Sequence, residues 1–280
     1  MNVVIQFLKN ITRPIRIFIL KILITENEKK AKANYYLTDE LKNKVVSYFV
    51  TKEDILRKKK HVIYTCITGG YDNLIQQTFY NPEYNYICYT DNKEWIDQKV
   101  IGMWEVRPLV KEEFSNALNN RWHKTHPHEL FPDYEDSIYI DGNIDIVTSY
   151  LFEQIYEKNK SLLIPIHFQR KCIYDEIKHL RWNKKISSSQ LKAIKKYLKE
   201  SEFPKNYGMN ENNIIYRKHH EKENIKIMEE WWEIIKSIAP RDQLSLSYVL
   251  WINHISVKDI AIDNARLRKN DFHFYYNEKH

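Results

Sequence analysis

The chain has 280 residues, with 44 Lys and Arg against 37 Asp and Glu, a formal charge of +7, and abundant core material in 20 Tyr, 11 Phe and 7 Trp. Only 5 Gly and 8 Pro exclude a collagen-like or low-complexity chain, and 3 scattered Cys without CxxC spacing exclude a disulfide framework or a thiolate zinc site and fit a reducing compartment. The basic excess does not mark a nucleic-acid surface: residues 1–60 carry 14 Lys and Arg against 6 Asp and Glu, while the remainder carries 30 against 31.

In chain order, the first 24 residues are apolar and basic with no acid. Val4, Leu8, Ile11, Ile15, Phe18 and Ile22 recur at helical spacing, with Lys9, Arg13 and Arg16 roughly opposite. This predicts an interfacial amphipathic helix on an anionic membrane surface. Charges interrupt every long apolar run, so a spanning helix is not predicted. Neither a basic leader nor a small-residue cleavage site marks a signal peptide. Pro14 kinks the helix or restarts it. The alternative is a helix packed on its own domain or on a second subunit. Residues 25–60 are charged and helical in pattern, ending in Arg57-Lys58-Lys59-Lys60, a solvated helix end or a second headgroup contact. Residues 1–60 thus read as a basic arm and 61–280 as the domain.

From His61 strands and helices alternate. Val62–Thr68 predicts a strand ending in Gly69-Gly70-Tyr71-Asp72, and Tyr86–Asp91 a second that ends in a carboxylate. Trp104–Arg107 suggests a third. A helix is predicted from about Lys111, with Phe114, Leu118 and Trp122 near one face and Pro127 as its limit. Ser137–Ile140 predicts the next strand, closed by Asp141-Gly142-Asn143, with Gly142 read as the residue that lets the chain turn. Leu162–Ile166 suggests another strand, and 187–200 a helix. Later helices are marked by Ile225, Met228, Trp232 and Ile235, and by Leu244, Tyr248 and Trp251. The alternation predicts an α/β domain with a mostly parallel, Rossmann-like sheet and helices on both faces.

The chemistry concentrates at predicted strand ends, where ligands collect in open α/β sheets. Asp141 and Asn143 place two hard oxygen ligands where a metal and a diphosphate would meet; an ordinary hairpin turn is the alternative. Gly69 and Gly70 permit close backbone approach, without the spacing of a dinucleotide or P-loop motif. Asp72 and Asp91 suit ribose or base hydrogen bonds, or else serve as turn residues. Arg121 and Lys124, at i and i+3, suit a departing diphosphate or form a solvated basic face. His126 and His128 flank Pro127, which breaks regular ligand spacing, and are not assigned to a metal. His167 follows a strand toward the same edge. Asp242 precedes an apolar helix as a cap or as a ligand for a sugar hydroxyl.

Tyr64–Asp72, Tyr89-Thr90-Asp91, Arg121–His128, Ser137–Asn143 and Arg241–Ser245 occur in an order that resembles a glycosyltransferase-like family first catalogued as a domain of unknown function. That family includes plant mucilage-related proteins and bacterial proteins encoded with surface-polysaccharide genes. The resemblance covers about residues 61–255. It implies a GT-A fold, distantly similar to the glycogenin-like transferases, and sugar transfer from a nucleotide-sugar donor with Mn2+ or Mg2+. By the same resemblance, Asp141 and Asn143 take the first and third places of an Asp-x-Asp metal motif, the third here a neutral, weaker ligand, with Asp145 as a further ligand if the turn allows it. His273 stands in for a late metal-binding histidine, and Arg121 and Lys124 face the diphosphate. Asp242 contacts the transferred sugar or acceptor, and Thr65, Gly69, Gly70, Tyr71, Asp72, Asp91 and His167 contribute to the nucleotide-sugar site. The expected acceptor is a surface polysaccharide or lipid-linked glycan, reached from the cytoplasmic face of the membrane. The alternative keeps the fold without turnover: a carbohydrate-binding or scaffold subunit of a polysaccharide assembly complex.

Overall fold

The computed structural model describes residues 51–111, 113–182, 186–238 and 241–275. The amphipathic segment 1–24 and the rest of the arm up to residue 50 lie outside the described residues. The described residues up to Phe274 belong to one compact unit. Among the described residues no helix is long and apolar enough to cross a membrane.

The end of the predicted arm belongs to the domain body. Helix α1 (Lys52–Leu56) begins with a Thr51–Asp54 capping box and buries Ile55. Asn85 Nδ2 donates to the carbonyls of Ile55 and Arg57, both at 2.9 Å. The basic run that follows is drawn onto the domain: Lys58 pairs with Asp133 and Lys60 with Glu135, each at 2.9 Å, and Lys59 Nζ donates to Tyr80 Oη.

The sheet is built on β1 (His61–Ile67), β2 (Tyr84–Thr90), β3 (Val100–Ile101), β4 (Trp104–Pro108), β5 (Asp136–Ile140), β7 (Leu162–Pro165), β8 (Ile214–Arg217) and β9 (Ala261–Ile262), in the order β3-β4-β2-β1-β5-β8-β7-β9. Its centre, β4-β2-β1-β5, is parallel, and β8 runs antiparallel between β5 and β7. Central strands are buried on both faces, which explains their near-continuous apolar sequences. A two-stranded ribbon of β6 (Ile144–Ile146) and β10 (Phe272–Phe274) stands apart from the sheet.

The helices are α2 (Lys93–Gln98), α3 (Asn116–Thr125), α4 (Pro127–Leu130), α5 (Tyr150–Lys158), α6 (Ile173–Trp182), α7 (Ser188–Glu200), α8 (Lys222–Ser237) and α9 (Leu246–Ile252). Helix α7 starts where predicted because Ser187 and Gln190 form a capping box. Helix α3 starts later than the expected Lys111. Ser115 caps it by accepting from Leu118 N–H, and the preceding loop folds back so that its Lys111 carbonyl accepts from Asn119.

The turn after β5 is not a hairpin, because β5 lies in the main sheet and β6 in the ribbon. Asp141 C=O accepts from Ile144 N–H at 3.1 Å. Gly142 does not adopt a positive φ. It is glycine for space: an added Cβ would lie 2.9 Å from Ile67 Cγ1 and 3.3 Å from Asp72 Oδ2. Gly142→Ala is therefore expected to cost about 1–3 kcal/mol by overpacking against the buried Ile67, measured by urea denaturation; an unchanged midpoint would contradict this tight fit.

Candidate active site

Three adjacent parallel strands, β2, β1 and β5, deliver Asp91, Gly69–Asp72 and Asp141 to one edge of the sheet. This is the carboxyl edge, where backbone polar groups turn out of the ladder and remain available to ligands. At β1, Gly69 and Gly70 have φ of +63° and +62°, a left-handed conformation that favours glycine. A Cβ on Gly69 would also lie 2.3 Å from Asn116 Nδ2, so the loop touches the first turn of α3, whereas Gly70 borders open space. Gly69 N–H donates to both carboxylate oxygens of Asp91, at 2.8 and 3.0 Å, so Asp91 is engaged in shaping the loop. Tyr71 stands 58% exposed just beyond, an aromatic face at the mouth of the edge.

Helix α3 projects two cations toward Asp141. Lys124 is almost completely buried, with Nζ 2.8 Å from Asp242 Oδ2, 3.3 Å from Asp141 Oδ1 and 4.8 Å from the centre of the Tyr139 ring. Arg121 Nε lies 3.3 Å from Asp242 Oδ1, and its Nη1 donates to Asn120, whose amide in turn donates to the Cys66 carbonyl at 2.6 Å. Asp242 sits in a 3-10 turn, Asp242–Leu244, anchored where its carbonyl accepts from Asn212 Nδ2 and Trp231 Nε1. Burial alone would push the Asp242 carboxyl up; Arg121 and Lys124 outweigh it and hold that group well below the usual carboxylate range. Burial likewise works against the Arg121 charge, and Asp242, with Tyr139 and Asp141, together more than compensate.

This geometry removes one of the two readings of Asp242. It is not a helix cap, since α9 begins at Leu246 without a side-chain cap bond. Its carboxylate serves to fix the two cations. A carboxylate so strongly held in its ionised form is a poor general base, because proton affinity is what a base needs.

The predicted metal residues are not all brought together. Asp141 has a 38% exposed side chain, and among the described residues its Oδ2 makes no protein hydrogen bond. Asn143 follows two residues later in the same turn. Asp145 is committed elsewhere: its oxygens accept from Thr78 N–H at 2.6 Å and Thr78 Oγ1 at 2.8 Å. His273 lies across the β6–β10 ladder from Asp145, with Nδ1 3.9 Å from Asp145 Oδ2. Among the described residues no three His, Cys, Asp or Glu ligand atoms converge at Asp141. The donor set suits an Mg2+ or Mn2+ ion carried in on a diphosphate, which needs only one or two protein oxygens, rather than a cage made by protein alone.

Two other predicted contributors lie away from this cluster. Thr65 is inside β1, two residues before its end, with its hydroxyl buried and unpartnered. His167 follows β7, two strands from β5; its Nδ1 accepts from Gln169 and Arg170 N–H at 3.1 Å, and burial pushes its pKa down to about 4. The residue that sequence reading overlooked is Asn213. Its carbonyl accepts from Asp141 N–H at 2.8 Å, while both polar atoms of its buried side chain lack partners. A buried orphan amide beside the site calls for a polar occupant. The Asn210-Glu211-Asn212-Asn213 run before an apolar strand was the available signal.

The domain is thus an α/β sheet with paired charges at its carboxyl edge. Residues 45–264 match the model of the TOD1/MUCI70 glycosyltransferase-like domain, and the chain belongs to that family. No curated protein matches it. Among solved structures it is similar to mouse xyloside xylosyltransferase 1, with a TM-score of 0.44 and 9% identity over 74% of this chain and 85% of that one. It is also similar to the Saccharomyces cerevisiae mannosyltransferase Ktr4p in complex with GDP, with a TM-score of 0.42 and 12% identity over 86% and 78%. A third similarity, to the WbbM bifunctional glycosyltransferase, has a TM-score of 0.41 and 10% identity over 69% of this chain, which spans only 38% of WbbM.

Proposed function

We propose that this chain is a glycosyltransferase of GT-A type that takes a sugar from a nucleotide-sugar donor and passes it to a surface-polysaccharide or lipid-linked glycan acceptor. The observation that carries this reading is the Lys124 ammonium, held between Asp141 and Asp242 at the carboxyl edge of the sheet. The nucleotide would lie along the Gly69–Asp72 loop, where two glycines keep side chains out of its path and Tyr71 offers a stacking face. The diphosphate would meet Lys124 and Arg121. Each of these cations already has a carboxylate partner, so the site supplies orientation without surplus positive charge. A divalent cation held by Asp141 and Asn143 would supply that charge and stabilise the leaving diphosphate as a Lewis acid. Asp242 keeps the two cations aimed, so that no reorganisation is needed as charge develops on the leaving group. The acceptor hydroxyl attacks the anomeric carbon as the bond to the diphosphate breaks, and its proton passes to the released diphosphate. The arm 1–24 would hold the enzyme at an anionic membrane on its cytoplasmic face, close to a lipid-linked acceptor.

Calorimetric titration with UDP, GDP and CMP, each with and without Mn2+, tests the donor half of this reading. One nucleotide should bind with Mn2+ and lose most of its affinity in Asp141→Ala. Failure of all three under every condition would favour a carbohydrate-binding scaffold, the reading for which the neutral Asn143 speaks.

A further inference from the structure

The break between α3 and α4 gathers a second set of metal-ligating side chains. Pro127 ends one helix and starts the next, and the resulting change of direction brings His126, His128 and Glu129 against Glu229 of α8. One ligand atom each from His126, Glu129 and Glu229 lies within 4.8 Å of the others. We propose that these three residues form a site for a divalent transition cation of the Zn2+ class, built independently of any nucleotide and clamping the C-terminal end of α3 to α8.

The tautomer of His126 is the first argument. Its Nδ1 lies 2.8 Å from the Trp122 carbonyl, which can only accept, and 2.9 Å from Thr125 Oγ1, whose hydroxyl donates to the Arg121 carbonyl at 3.0 Å, so Nδ1 carries the proton and Nε2 presents a lone pair. A backbone carbonyl fixing the far ring nitrogen is the arrangement that orients metal-bound histidines. The Nε2 lone pair faces Glu229 Oε1 at 3.4 Å. Two electron-rich atoms facing each other at that distance favour a cation between them. A proton would make an imidazolium, yet His126 is 2% exposed, stacked on Trp122 at 4.5 Å and edge-on to Trp232 at 5.5 Å. Such apolar surroundings disfavour a charged ring.

The spacing is the second argument. Two ligands each about 2.0–2.1 Å from a tetrahedral ion stand about 3.3–3.4 Å apart, which the His126–Glu229 separation matches. His128 Nε2, 2.9 Å from the same Oε1, donates to it and fixes the carboxylate. Glu129 is exposed and Glu229 half-buried, leaving a path for the ion and for a water as fourth ligand. One imidazole with two carboxylates selects a borderline metal over Mg2+ or Ca2+, which prefer oxygen alone.

Metal-stripped, untagged full-length protein titrated with Zn2+ in the absence of nucleotide tests the site. Calorimetry should show one saturable ion per chain, and saturation should raise Tm by several degrees. Glu229→Gln should weaken binding about 10-fold or more while leaving the metal-free Tm near that of the parent, and Asp141→Asn should leave Zn2+ binding unchanged. Should Glu229→Gln fold poorly, Glu129→Gln at an exposed position provides the same test. Absence of saturable binding, or binding indifferent to both glutamate changes, would overturn the proposal, as would loss of binding in Asp141→Asn.

Discussion

Lys124→Met is expected to cost about 3–5 kcal/mol of folding stability and to abolish turnover, because it removes one half of a buried charge pair and leaves the other half in place. The methionine matches the volume of the alkyl chain, so lost packing contributes little. What remains is Asp242, 7% exposed, with Arg121 at 3.3 Å as its remaining ion-pair partner among the described residues. The pH dependence should move with it. In the parent protein the Asp242 carboxyl is held below its unfolded value, so its stabilisation is complete above about pH 4 and is lost as pH falls through the folded value. Without Lys124, burial raises that carboxyl relative to the parent, and acid destabilisation begins at higher pH. Urea denaturation at several pH values measures both effects. A loss below about 1 kcal/mol, typical of an exposed pair, would show that the ammonium is not buried between these carboxylates.

Asp141→Asn should behave in the opposite way. The side chain is 38% exposed and shares Lys124 with Asp242, so its neutralisation should cost no more than about 1 kcal/mol of stability. Its effect on transfer should be large, on the order of 100- to 1000-fold in turnover, comparable to the removal of one preorganised electrostatic group from a transition state. Asp242→Asn is the control that separates these roles. It strands the part-buried Arg121, leaves the buried Lys124 with Asp141 alone, and should destabilise the fold as well as silence it. If Asp141→Asn destabilised the protein as severely as Asp242→Asn, Asp141 would be a structural partner of Lys124 rather than the ligand-facing end of the cluster.

The central strands were legible because burial on both faces leaves uninterrupted apolar runs. Helix α7 was legible because Ser187 and Gln190 write its cap into the sequence. Strand β8 was not: four residues after an asparagine-rich run give no period by which to recognise them. At the site, strand-end chemistry was readable at Asp141, and the i,i+3 spacing placed Arg121 and Lys124 together. Their partner lies 118 residues from Lys124, a pairing that only the folded sheet edge creates. The reason for Gly142 was also hidden, since the sequence suggests a turn while the constraint is the Ile67 side chain from another strand. Asp145 illustrates the reverse error. It reads as a spare ligand two residues beyond Asn143, but Thr78, 67 residues upstream, takes both of its oxygens.

Release of nucleoside diphosphate from a panel of nucleotide sugars, followed for the parent protein and for Asp141→Asn with Mn2+ present, tests the central claim most directly. The account predicts that one donor is cleaved by the parent protein, slowly to water and faster when a matching glycan acceptor is added, with release reduced at least about 100-fold in the variant. Equal release from both proteins, or none from any donor with acceptor present, would contradict the assignment of the Lys124–Asp141–Asp242 cluster to sugar transfer.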